Sequence, residues 1–139
     1  MGTVIRPEVS TKNKYWISKH RHYELKHFCL QYRDWKKAYK NCSESVIFAS
    51  NVDRMPSGNT HSDITGKYAT MCACYKAHID VIEKAAKAAD EFLAPYILKA
   101  VTEGLSYTYL KTALSMPCGK DMYYDRYRKF FWILSESKY

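Results

Sequence analysis

Glu103-Gly104-Leu105-Ser106-Tyr107 decides how this chain reads. Gly104 has no Cβ to oppose a left-handed backbone, so it can end the apolar segment before it. Ser106 offers a hydroxyl to the orphan amides of the segment after it. A second turn follows, Ser115-Met116-Pro117-Cys118-Gly119, and then a basic, aromatic segment over roughly 120–135. Helix, glycine turn, helix, second turn and basic helix is the order of a DNA-reading helix-turn-helix. The expected fold class is all-α. It comprises an N-terminal helical segment, a long central helix and a C-terminal tri-helical helix-turn-helix. The expected division places a basic helical region with a loop in 1–61, and the long helix plus helix-turn-helix domain in 62–139.

Working outward, Phe92, Leu93, Tyr96, Ile97, Ala100 and Val101 form the apolar side of a helix over 90–103, with Pro95 in its first turn, where a missing amide costs little. Beyond the pentapeptide, Ser106 caps a short helix carrying Tyr109, Leu110 and Leu114. The last helix buries Tyr123, Tyr127, Phe130, Phe131 and Leu134 by spacing. That leaves Lys120, Asp121, Tyr124, Asp125 and Arg128 facing outward. Lys120 and Arg128 suit guanine edges or phosphates, and Asp121 complements the helix dipole. Lys111, Arg126 and Lys129 flank this face and suit phosphate contacts.

Upstream, Ser62 or Asp63 caps a helix reaching about Ala89, with Ile64, Tyr68, Met71, Tyr75, Ile79, Ile82 and Ala86 on one stripe. Core packing is the plainer use of that stripe and a dimer seam the other. Residues 42–61 lose the helical period. Ser45-Val46-Ile47-Phe48-Ala49 reads as a short extended piece, and Asp53 to Asp63 as a loop. Ser18 is an N-cap for a helix whose stripe is Leu25, Phe28, Tyr32, Trp35 and Tyr39. That helix either runs unbroken to about Asn41 or breaks near Tyr32-Arg33. Lys19, Lys26, Arg33, Lys36, Lys37 and Lys40 lie mostly off the stripe. They form either a solvated basic face or a second phosphate-contacting surface, with Lys19, Lys26, Lys36 and Lys37 as its contacts. Residues 1–14 show no period and read as a flexible lead-in.

The chain has 139 residues, enough for one domain with a real core or a small domain plus an arm. Hydrophobic content of 47% and aromatic content of 15% exclude a disordered chain. Thirteen tyrosines imply a thin core with wet edges, since each ring keeps a polar tip. A net charge of +8 favours a polyanionic partner, with solubility the plainer use of it. The sequence has no long apolar run, so no membrane span is expected, and its N-terminus has no apolar core of a secretory signal. Five cysteines without small-scaffold spacing fit free thiols in a reducing cytoplasm. Cys72-Ala73-Cys74 lies within a helix, where residues two apart diverge, as do His20 and His22; no metal site is expected. Cys72 then belongs to the core and Cys74 to the surface. Cys29 has His27 nearby in sequence but on a diverging face, and Cys118 sits at a helix start without a base. No glycine-rich phosphate loop occurs. The expectation is a binding protein without cofactor, not an enzyme.

Ile97-Leu-Lys-Ala-Val-Thr-Glu-Gly-Leu-Ser-Tyr107 resembles the fourth conserved region of bacterial sigma factors. Met116-Pro-Cys-Gly-Lys-Asp-Met-Tyr-Tyr-Asp-Arg-Tyr-Arg-Lys-Phe-Phe131 is similar to phage late-gene regulators of the ArpU and RinA type. Ile17 to Lys36 resembles small phage and prophage proteins of low-GC Gram-positive bacteria. The resemblance implies double-stranded DNA binding and control of phage transcription in the host cytoplasm. It places recognition contacts on Lys120, Tyr124, Asp125 and Arg128, with RNA polymerase or another host protein as a further partner. A homodimer would predict a palindromic operator. The chain departs from sigma-type recognition helices in carrying Asp121 and Asp125, which shifts more of the binding onto the N-terminal basic face. The competing expectation is a phage-encoded inhibitor that binds a host protein such as a CRISPR-type defence nuclease, motivated by an aromatic-rich surface and the Asp-interrupted recognition helix, since Tyr, Trp and Arg anchor protein interfaces.

Overall fold

A computed structural model describes residues 13–52 and 60–138, with side chains over 13–44 and 66–138. Among the described residues the regular structure is all-helical: α1 (Lys19–Leu30), α2 (Tyr32–Val52), α3 (Thr60–Ala89), α4 (Ala94–Glu103), α5 (Tyr107–Ala113) and α6 (Lys120–Lys138). The expected lead-in lies mostly outside the described residues. So does most of the expected loop from Asp53 to Asp63. No helix among the described residues is long and apolar enough to cross a membrane.

Local signals set several ends. Asn13 closes a turn ahead of α1: its side-chain oxygen accepts from the Tyr15 amide at 2.8 Å and its carbonyl from Trp16 at 3.0 Å. Ser18 is extended and its hydroxyl accepts from the Arg21 amide at 3.3 Å, capping α1. Of the two alternatives for the first helical stretch, the break is the one found, at Gln31. Ser45–Ala49 is not extended but helical, inside α2. Lengthening a helix already formed fixes one residue per hydrogen bond, whereas a separate strand would need a partner strand. Helix α3 begins at Thr60, so Ser62 and Asp63 lie in its first turn rather than at its cap. Helix α4 begins at Ala94 rather than 90, because Asp90 interrupts the chain there. Its Oδ1 accepts from the amides of Phe92 at 2.9 Å and Leu93 at 3.0 Å, holding a turn instead. Phe92, expected on the packed side, is 70% exposed in consequence.

The chain divides into two compact units, Met1–Gln31 with Val81–Tyr139, and Tyr32–Asp80. The expected boundary at 61/62 falls within the second of these. In the first unit, α1 packs on α4 and α6, and α4 packs on α5 and α6. Leu25, Ile82, Leu93, Ile97, Leu110, Met116, Phe130, Phe131 and Leu134 are fully enclosed. Each such side chain contributes about 1.5–3 kcal/mol of transfer free energy. An aromatic chain runs through this core. Tyr107 meets Tyr123 at 5.5 Å, Tyr123 meets Tyr127 at 5.9 Å, Tyr127 meets Phe131 edge-on at 4.9 Å, and His22 meets Phe131 edge-on at 4.8 Å. Burial pushes the Tyr123 and Tyr127 hydroxyls up, so both stay protonated.

In the second unit, Trp35 of α2 stacks on His78 of α3 at 4.6 Å, and the Lys76 ammonium lies 5.9 Å from the Tyr39 ring centre. Tyr68 and Met71, expected on the packed stripe of α3, are largely exposed, while Ile79, Ile82 and Ala86 of the same stripe are buried.

Candidate nucleic-acid interface

Helix α6 is set in place by its neighbours on both sides. Gly104 adopts φ 70°, ψ 33° and ends α4, as the pentapeptide implies. Ser106 accepts from the Tyr109 amide at 3.2 Å and starts α5. Tyr107 then reaches forward: its hydroxyl donates to the Cys118 carbonyl at 3.4 Å and its ring packs on Tyr123 and Tyr124. The Lys111 ammonium donates to the carbonyls of Met116 at 3.1 Å and Cys118 at 3.0 Å. Met116, fully buried, returns its amide to the Leu110 carbonyl at 3.1 Å. The turn before α6 is therefore closed by hydrogen bonds from α5.

Asp90 and Arg126 hold α6 further along. Arg126 donates through Nε to Asp90 Oδ2 at 3.0 Å and through Nη1 to Asp125 Oδ2 at 2.7 Å. Partial burial pushes the Asp90 carboxyl up. The Leu93 amide, the Arg126 guanidinium and the Phe92 amide together outweigh it and hold the group below the usual carboxylate range. The hydrogen bond to Asp90 in turn raises Arg126.

The last turns of α6 are covered by α1. Arg21 donates through Nε to the Ser135 hydroxyl and through Nη2 to its carbonyl, both at 3.0 Å. The Lys138 ammonium lies 4.2 Å from the Phe28 ring centre and 3.8 Å from Glu24. The expected tri-helical domain is thus joined by a helix that the expected division assigned to a separate region.

Against this frame the expected contact residues separate. Lys120 is exposed, its ammonium 5.8 Å from the Tyr124 ring centre. Tyr124 is half-buried against Tyr107 and Tyr123. Asp125 is half-buried and paired with Arg126. Arg128 and Lys129 are half-buried and have no ion-pair partner among the described residues. Lys111 and Arg126, expected on phosphates, are instead committed to main-chain carbonyls and to two carboxylates. Sequence spacing shows where a cation points but not which acceptor the fold brings to it. In α1, Lys19 and Lys26 are exposed, with Lys19 at 5.9 Å from the exposed Tyr23 ring. In α2, Lys36 and Lys37 are exposed, with Lys36 at 5.4 Å from the Tyr32 ring.

Arg33 and Lys40, not singled out as contacts from the sequence, extend the α2 pair. Positions 33, 36, 37 and 40 share one helical face, all four are exposed, and none has an ion-pair partner among the described residues. The i, i+3, i+4, i+7 spacing was the available signal.

The cysteines of the first unit lie away from solvent. Cys29 is buried and its thiol is pushed up by burial, and burial raises Cys118 as well, so neither is a ready thiolate. Cys72 is half-buried and Cys74 exposed. Among the described residues no three His, Cys, Asp or Glu side chains converge as a metal site would require. No protein-family model, curated protein or solved structure matches the chain.

Proposed function

We propose that the protein binds double-stranded DNA through phosphate contacts, with the first half of α6 as the element offered to the groove. The observation that carries this reading is a group of cations without carboxylate partners among the described residues: exposed Lys26 on α1, exposed Arg33, Lys36, Lys37 and Lys40 on α2, and half-buried Arg128 and Lys129 on α6 are among them. Unneutralised Lys and Arg at helical spacing supply the counterion-releasing contacts on which DNA affinity depends. The pairing of Asp125 with Arg126 supports it too, because that carboxylate is partly neutralised. Two carboxylates share one guanidinium, however, so the trio stays net acidic and the cations of α1 and α2 carry much of the attraction. Control of phage transcription rests on the resemblance to ArpU- and RinA-type regulators.

Fluorescence anisotropy with a labelled duplex from the gene's own neighbourhood tests the reading. Binding at low salt is expected, with log K falling linearly against log salt by about 0.9 per phosphate neutralised. No binding at low salt ends it.

A second reading, a blocker of a host protein, is favoured by the exposed apolar side chains Phe92, Tyr109 and Met122. Aromatic and Met side chains exposed this far are common anchors of protein interfaces. Recovery of one stoichiometric host protein on the tagged chain, with duplex DNA unable to compete, would move the assignment to this reading.

A further inference from the structure

Within the unit Tyr32–Asp80, α2 and α3 bring two thiols together. Cys42 is 6% exposed, and its Sγ donates to the main-chain carbonyl of Tyr68 at 2.9 Å. That carbonyl is the intrahelical acceptor for the amide four residues on, so the Cys42 thiol sits beside the turn that bears Cys72. Cys72 follows Tyr68 by one helical turn on the same face of α3, and partial burial and the Cys42 thiol beside it push the Cys72 thiol up. Cys72 is half-buried, which leaves it open to a small reagent, whereas Cys74 is exposed and lies about 200° around the helix from it. We propose that Cys42 and Cys72 are a disulfide-forming pair that fastens α2 to α3, with a small-molecule disulfide such as glutathione disulfide as the oxidant. This uses none of the cations of the nucleic-acid reading and stands apart from it.

The chemistry proceeds by two exchanges. Cys72, the more accessible thiol, loses its proton, and its thiolate attacks one sulfur of the small disulfide. A mixed disulfide forms on Cys72 and one small thiolate leaves. Cys42 then loses its proton and attacks the Cys72 sulfur, forming the Cys42–Cys72 bond and expelling the second small thiolate. Both cysteines are oxidised, the small disulfide is reduced to two thiols, and the two cysteine protons end on those thiols. The Cys42 thiol lies at the carbonyl one helical turn before Cys72, the juxtaposition that the short sulfur separation of a disulfide calls for. Partial burial and the neighbouring Cys42 thiol push Cys72 up to about 11. The first exchange is therefore slow at neutral pH and quickens as pH rises.

The full chain, reduced and then incubated with excess glutathione disulfide, is digested without reductant and mapped by mass spectrometry. The expected product links the Cys42 and Cys72 peptides with no glutathione retained on either. The oxidised chain melts several degrees higher, and dithiothreitol reverses the gain. Cys42→Ser, whose hydroxyl still reaches the Tyr68 carbonyl, is expected to keep glutathione on Cys72 with no link. Cys72→Ser is expected to leave Cys42 unmodified. Exposed Cys74 serves as the internal control for oxidant action. A Cys72 adduct that persists in the wild-type chain, a link involving Cys74, or full modification of Cys74 with Cys42 and Cys72 untouched overturns the proposal.

Discussion

Asp90 joins three pieces of chain with one carboxylate: the end of α3, the turn into α4 and, through Arg126, the middle of α6. Its lowered pKa means that the folded chain binds fewer protons at this group than the unfolded chain. The stability it supplies is complete above the ordinary carboxylate value of about 4, and is lost as pH falls through the lower folded value. Asp90→Asn is therefore expected to cost roughly 1–2 kcal/mol at pH 7, with the gap from wild type narrowing below about pH 4. Urea unfolding of both chains at pH 7 and pH 3 measures this, and an equal gap at both values would show that the charge is not what matters. Lys111 poses the same question in another form. Lys111→Met keeps the stem but removes the donor to Met116 and Cys118, and is expected to cost about 1–2 kcal/mol. Neither role was legible in the sequence. Lys111 and Arg126 looked like phosphate ligands because a side chain's spacing gives its direction, and only the fold decides which acceptor waits there.

At the scale of elements, what depends on neighbouring residues was readable and what depends on distant ones was not. Ser18, Gly104 and Ser106 cap the helices that the sequence places beside them, because a cap is a contact within four residues. Tyr123, Phe130, Phe131 and Leu134 are buried on α6 as their spacing implies. The continuation of α2 through Ser45–Ala49 was misread, since a short run of apolar and β-branched residues has no period of its own to separate helix from strand. The packing of α1 on α4 and α6 is a contact between segments about 70 to 110 residues apart, beyond any local pattern. Gly104 offers a clean test of the local part. An added Cβ would meet only Leu30 Cδ2, at the ordinary distance of 3.9 Å, so substitution costs conformation rather than space. Gly104→Ala is expected to destabilise by about 1–2 kcal/mol, and Gly104→Asn by less, because Asn enters the left-handed region more readily. Thermal unfolding followed by circular dichroism ranks the three; Ala equal to Gly would mean that the turn before α5 does not depend on the left-handed cap.

For the whole molecule the governing quantity is the charge of +8 and how much of it is free to meet a polyanion. Arg126 and Lys111 are spent inside the fold, and Arg21 is bound to Ser135 and Glu24, so formal charge overstates the cations on offer. Two sets of cations without an ion-pair partner among the described residues lie on separate helices: Lys36 and Lys37 with Arg33 and Lys40 on α2, and Arg128 with Lys129 on α6. Salt dependence weighs these sets directly, because the slope counts phosphates neutralised and is blind to hydrogen bonds that merely hold the fold. The double variants Lys36→Glu/Lys37→Glu and Arg128→Glu/Lys129→Glu are each expected to weaken duplex binding at low salt. Each should also flatten the slope, by up to ~1.8 for two lost contacts. Lys111→Met, measured well below its melting temperature, is expected to leave the slope as it is. Anisotropy titrations of the four chains from low to moderate salt give the slopes on one scale. An unchanged slope in the α6 pair alongside a flattened one in the α2 pair would take the groove-facing role away from α6 and leave the α2 row as the phosphate surface.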